Sequence, residues 1–216
     1  MKLLAVDTAL GACSVAVIDD DRILAHRCEL MDRGHAEALA PMVEAAMREA
    51  AIAFGALEGL AVTTGPGTFT GQRVGLAFMR GLRVALHVPL SGITTLAAMA
   101  AAAKDETGLD CAIALHDARR DEVYLEIEGV LPPAVMLFDQ AAVTLRDLPG
   151  NEKIALAGTA APRICEALSK RFVLSNVRQP DALWVSRLAL HGETTDLPPR
   201  PLYLRAPDAK LPAART

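Results

Sequence analysis

Two stretches of this chain combine residue types and spacings that can do chemistry. Asp7-Thr8 follows the apolar run Lys2–Val6, so an acid and a hydroxyl stand at a strand end, where they can approach a phosphate and its magnesium. Gly65-Pro-Gly-Thr-Phe-Thr-Gly71 places three glycines in seven residues ahead of a helix, a geometry that can turn several backbone N–H groups toward an anion. The loop is followed by Gln72 and Arg73, so the lysine of a triphosphate loop is missing. The sequence favours a tight strand-to-helix turn, with Gly65 and Gly67 supplying unusual dihedrals and Thr68 or Thr70 capping the helix. Asp7-Thr8 is likewise a common turn former. An autonomous nucleotide cleft also needs a second phosphate turn, and Cys111–Leu115 leads instead into His116-Asp117-Ala118-Arg119, without glycine. Asp7 and Thr8 are therefore expected to be at most a vestigial nucleotide site.

Other chemistries find less support. The five histidines never pair at i,i+4, so no helical metal site forms from sequence neighbours. No G-x-S-x-G elbow is present, and no cysteine has an electropositive helix-start context. His116, Asp117 and Glu122 can form a polar cluster, expected as a solvated strand end. No catalytic residue, metal or cofactor is expected.

These residues must be positioned by regular elements. Residues 2–6, 13–18 and 23–28 read as three antiparallel strands, punctuated by Gly11 and by Asp19-Asp20-Asp21-Arg22. From His35 to Ala50 the apolar positions Leu39, Met42, Val43, Ala46 and Met47 recur at three and four, an amphipathic helix that Pro41 would kink or whose first turn it would end. Leu60–Thr64 reads as a buried strand, Thr70–Leu86 as a helix, Val88–Gly92 as a strand and Thr94–Ala103 as a helix. Gly71/Gly75 and Ala77/Gly81 are small residues four apart. Their helix can approach a second helix or its own sheet closely, and the spacing does not choose between these.

Three meandering strands followed by alternating strand–helix units match one known architecture, the ribonuclease-H-like half of an actin, Hsp70 or sugar-kinase type of protein, with a mixed sheet covered by helices. The polar stretch 104–110 marks a boundary between an N-terminal subdomain, residues 1–104, and a shorter, degenerate C-terminal one, residues 105–216. In the latter, 111–115 and 122–128 read as a hairpin across Arg119-Arg120-Asp121, 154–157 as a strand, and 160–170 and 182–191 as helices, before a tail with Pro198, Pro199, Pro201, Pro207 and Pro212.

Composition agrees with a packed α/β chain. At 52% hydrophobic and 22% charged, 216 residues support a core, and 4% aromatic content makes that core mostly aliphatic. The net charge of −4 divides into −1 for residues 1–104 and −3 for the rest, so neither half is a basic nucleic-acid platform. The longest apolar run, Leu96 to Ala103, is far short of the ~20 residues of a membrane span, and Asp7 interrupts any signal-like start. Scattered Cys13, Cys28, Cys111 and Cys165 fit a reducing compartment, so a cytoplasmic location without membrane contact is expected.

The segments 3–18 (LLAVDTALGACSVAVI), 34–43 (GHAEALAPMV), 65–82 (GPGTFTGQRVGLAFMRGL), 91–100 (SGITTLAAMA), 116–128 (HDARRDEVYLEIE) and 200–205 (RPLYLR) resemble the TsaB (YeaZ) family of tRNA threonylcarbamoyladenosine biosynthesis proteins. Gln72 departs from the pattern, which has an aliphatic residue there. The resemblance implies two actin-like subdomains and a non-catalytic subunit. Such a subunit forms a heterodimer with the threonylcarbamoyltransferase TsaD, is joined by the ATPase TsaE, forms a homodimer when alone, and meets tRNA only through the complex. It further implies that the first two helices form the partner face, here through His35, Leu39, Met42, Val43, Ala46 and Met47 on one helix and Gly71, Arg73, Val74, Gly75, Ala77, Phe78 and Leu82 on the other. Glu37 and Glu44 would then set register against Arg73 and Arg80. The alternatives are an autonomous small actin-like ATPase or kinase, and a protease of the same superfamily.

Overall fold

A computed structural model describes residues 1–168, 171–192 and 198–205. The expected end of the helix at Lys170 and the prolines at 207 and 212 lie outside them.

The chain folds as βββαβαβα, a unit that occurs twice. The first repeat comprises β1 (Lys2–Asp7), β2 (Ala12–Asp19), β3 (Arg22–Leu30), α1 (His35–Glu49), β4 (Gly59–Gly65), α2 (Phe69–Leu86), β5 (Leu90–Thr94) and α3 (Thr95–Thr107). The second comprises β6 (Cys111–Arg119), β7 (Glu122–Ile127), β8 (Leu131–Leu137), α4 (Phe138–Arg146), β9 (Ile154–Ala157), α5 (Ala161–Leu168), β10 (Phe172–Leu174) and α6 (Ala182–His191). The sheets run β3-β2-β1-β4-β5 and β8-β7-β6-β9-β10, the same order. Antiparallel hairpins precede parallel crossovers in both. The second repeat is thus complete in its elements, although its helices are shorter.

Hydrophobic alternation assigns the two faces of each sheet. In the first repeat Leu4, Val6, Val15, Val17 and Val62 meet α1 and α2 on one face. The opposite face carries Leu3, Ala5, Ala16, Ile18 and Ala61, and it is covered by Ala182, Val185 and Ala189 of α6. Reciprocally, α3 lays Leu96, Met99 and Ala103 on Ala112, Ala114, Ala155 and Ala157 of the second sheet. The final helix of each repeat therefore covers the other repeat's sheet. Alanines on these faces let the helices approach closely, which is why a chain poor in aromatics fills its core. The division at 104/105 separates the two sheets but not their helices. The polar stretch 104–110 is largely the last turn of α3, closed by left-handed Gly108.

The N-terminus of α6 is capped from within and fixed on the first sheet by two contacts. Asp181 caps it by accepting from Leu183 N at 2.8 Å, Ala182 N donates to Ser14 Oγ at 2.8 Å, and His26 Nε2 lies 2.7 Å from Asp181 Oδ1. In α1 the helix continues through Pro41, which occupies an exposed position. After α6 the segment 198–205 runs back along α2. Leu202 N donates to Thr64 O at 2.8 Å, Pro199 lies against Gly92, and Arg205 pairs with Glu122 of β7.

Candidate functional site

The Asp7-Thr8 turn and the glycine loop do meet, and they fill each other. Thr8 Oγ1 donates to Gly71 O at 2.7 Å and accepts from Gly75 N at 3.0 Å, so a hydroxyl from the turn after β1 is inserted into one rung of α2. Thr68 caps α2 by accepting from Gly71 N at 3.1 Å, while its own N–H donates to Ala9 O at 2.8 Å. Gly65 has φ +107°, the left-handed dihedral read from the sequence. Gly67 owes its identity to proximity, since a Cβ there would stand 2.3 Å from Ala9 O. The space in which this turn could cradle a phosphate is occupied by the chain's own backbone.

Asp7 is fully buried behind that contact. Its Oδ1 accepts from Thr63 Oγ1 at 2.6 Å and from Ala9 N at 3.2 Å, whereas Oδ2 has no partner among the described residues. Burial pushes its pKa up to about 7, against the two hydrogen bonds, and the charge of Asp181 adds to the rise. His116 is not the solvated strand-end residue that was expected. It is buried beside α3's face of the second sheet, its Nδ1 lacks a partner among the described residues, and burial lowers its pKa to about 4. Burial raises the Cys13 thiol to about 12, so this cysteine is not a ready nucleophile. No group of three metal-ligating side chains occurs among the described residues.

The residues expected at a partner face separate into two sets. Leu39, Met42, Val43, Ala46 and Met47 lie in the core between α1 and the first sheet, and His35 is buried with Nε2 3.0 Å from Leu10 O. Gly71 and Gly75 face inward, because added Cβ atoms would stand 2.2 Å from Thr8 O and 2.7 Å from Thr8 Oγ1. These eight positions serve internal packing: the apolar periodicity that marked them is the helix's own core stripe. Gln72 is buried as well, its side chain against Gly65 and its Oε1 without a partner among the described residues. Arg73 and Ala77 are exposed, and Val74, Phe78 and Leu82 are half-buried.

The exposed surface of α2 adds Phe69 and Val84 to the residues expected from the sequence. Phe69, Arg73, Ala77 and Gly81 recur at intervals of four and continue to Val84, which is 71% exposed. Arg73 lies 3.5 Å over the Phe69 ring and donates from Nε to Tyr203 Oη at 2.8 Å; Phe69 and Tyr203 stack at 5.9 Å. Arg80 donates to Pro199 O. Both arginines expected to pair with Glu37 and Glu44 are thus engaged by the returning segment. The i,i+4 recurrence was legible in the sequence, while the meeting of residues 73 and 203 was not.

The comparisons with known proteins bear on this geometry. The family model for TsaD, the tRNA N6-adenosine threonylcarbamoyltransferase, matches residues 27–165. The TsaB protein of Haemophilus influenzae is 29% identical over 95% of this chain and 94% of its own length. The Escherichia coli TsaB alignment, at 39% identity, spans 57% of this chain and 53% of that protein. The structure of YeaZ from Pseudomonas aeruginosa superposes with a TM-score of 0.78 at 31% identity, covering 94% of this chain and 99% of the other. A more distant structure, component A of the (R)-2-hydroxyglutaryl-CoA dehydratase of Acidaminococcus fermentans, has a TM-score of 0.52 at 9% identity and shares the fold alone. The duplicated mixed sheets and the match to a whole YeaZ chain establish that this chain belongs to the TsaB/YeaZ family, whose curated members are named for tRNA threonylcarbamoyladenosine biosynthesis.

Proposed function

We propose that this chain is a non-catalytic subunit that binds and supports a TsaD-type threonylcarbamoyltransferase. The supported reaction forms N6-threonylcarbamoyladenosine next to the anticodon of tRNAs that read codons beginning with A. The observation that carries the reading is the Thr8–Gly71–Gly75 lock, which fills the turn where an actin-like ATPase would take phosphate. The buried, raised thiol of Cys13 weighs against its use as a protease nucleophile.

The partner face in this proposal is the outer surface of α1 and α2. Its contact residues are narrowed to Arg73, Val74, Ala77, Phe78 and Leu82, joined by Phe69, Gly81 and Val84 and by the exposed Ala36, Ala40 and Pro41 of α1. Small side chains on both helices permit close approach of a second helix pair. The same face would form the homodimer of the isolated chain, TsaE would join through the heterodimer, and tRNA would be met only in the complex.

The test is tRNA threonylcarbamoylation reconstituted from the cognate TsaD, TsaE and threonylcarbamoyl-adenylate, with and without this chain, alongside an ATPase assay of the chain alone. Modification that requires the chain, with no ATP turnover by it, is expected. Full modification in its absence, or steady ATP hydrolysis by the chain alone, would overturn the reading.

A further inference from the structure

The two repeats differ at one corresponding place. In the first, the β4–α2 loop clasps the turn after β1 at Ala9 and closes the space above the strand ends. In the second, the β9–α5 loop clasps β6 lower down: Ala160 N donates to Leu115 O at 3.2 Å, and left-handed Gly158 lies against the same carbonyl. β6 runs on for four residues beyond that contact, to Arg119. Between the overhanging hairpin and α5 a cavity of about 340 Å³ opens at the carboxyl ends of the parallel strands, floored by Phe138 and Ala160.

Arginines from two elements converge on this cavity. Arg163 of α5 lies 3.5 Å over the Phe138 ring and donates to Asp121 Oδ1 at 2.6 Å, so its planar fork is held in place. Arg119 also lines the cavity and forms no ion pair among the described residues. The carboxylates nearby are engaged: Asp121 by Arg163, Glu122 by Arg205, and Asp117 Oδ1 by the Arg119 N–H at 2.7 Å. Arg120 and Asp121, at φ 57° and 57°, form a two-residue hairpin turn of the kind that ordinarily takes Asn-Gly, and Arg119 before them, at φ 64°, is left-handed as well. Holding arginine in that conformation costs stability, a pattern that accompanies functional positions.

We propose that this cavity binds a small phosphorylated ligand, with Arg119 of β6 and Arg163 of α5 both contacting the phosphoryl oxygens. The site is independent of the partner face on α2. The experiment titrates the full purified chain with inorganic phosphate and with adenosine 5′-monophosphate by calorimetry, with phosphorus NMR as a second readout. Arg119→Gln, at an exposed position without an ion pair, is expected to keep the melting temperature and weaken phosphate binding about tenfold, the loss of one charge-assisted contact. Arg146→Gln, on α4 outside the cavity lining, is expected to bind as the wild type does. Tighter binding of the nucleotide than of phosphate would assign the ligand as a nucleotide, and equal binding would assign the free anion. Failure of both probes to bind, or wild-type affinity in Arg119→Gln, would overturn the proposal.

Discussion

A buried carboxyl with one oxygen unpartnered resists ionisation, and Asp7 is such a group. Its pKa near 7 lies above the unfolded value of about 4, so the folded state holds the extra proton and stability falls as pH rises from about 4 to about 7. His116 acts in the opposite sense. With a folded pKa near 4 against about 6.5 unfolded, it favours the unfolded state's proton uptake, and its contribution rises with pH over that window. The two trends offset each other below pH 6.5. Asp7→Asn should therefore unmask a rise in urea-measured stability between pH 4 and 6.5 and leave the variant more stable than wild type at pH 8. A variant with the wild-type pH profile would refute the assignment of the titration to Asp7. At Gly75 the prediction is steric. Gly75→Ala puts a methyl 2.7 Å from Thr8 Oγ1 and should cost about 1–3 kcal/mol in chemical denaturation, through displacement of the hydroxyl from its rung.

At the level of elements, α2 has an inner glycine face committed to β1 and an outer face of small and aromatic residues. Substitutions on the outer face should separate binding from folding. Ala77→Glu and Val84→Asp are expected to weaken heterodimer formation at least tenfold in analytical ultracentrifugation, with circular dichroism and melting temperature near wild type. Wild-type affinity in both would remove α2 from the partner face. The division between the two faces explains what could be read beforehand. Helical periodicity located α1, α2 and α6 to within a residue or so, because an amphipathic stripe is a local property. The same stripe could not reveal whether it faces a sheet or a partner. Strand β8 escaped notice because Pro132 and Pro133 interrupt it, and an edge strand tolerates prolines that a central one does not. β10 spans only three residues, too few to show a period. The Arg73–Tyr203 hydrogen bond joins residues 130 apart, a distance that no local pattern encodes.

For the whole molecule, the exchange of final helices between repeats decides how the chain can be divided. A duplicated chain with a polar stretch between its halves invites the expectation that residues 1–104 fold alone. The sheet of the first repeat, however, has two apolar faces, and beyond Ala98 of α3 the second is covered from outside that segment. The face bearing Leu3, Ala5, Ala16, Ile18 and Ala61 depends on α6, which Ser14 and His26 anchor from more than 150 residues away. Deprived of α6, that face presents a contiguous apolar surface of the kind that drives aggregation. In the other direction, α3 covers the alanine face of the second sheet, so residues 105–216 would lack their lid as well. Each fragment expressed alone is expected to show no cooperative urea transition and to bind a hydrophobic dye. Co-expression of the two should restore a soluble complex, because the contacts that α3 and α6 make across the division are among the most deeply buried in the fold. A fragment 1–104 that unfolds cooperatively as a monomer would show that α6 is dispensable to the first sheet. The unit that folds would then be the repeat rather than the pair.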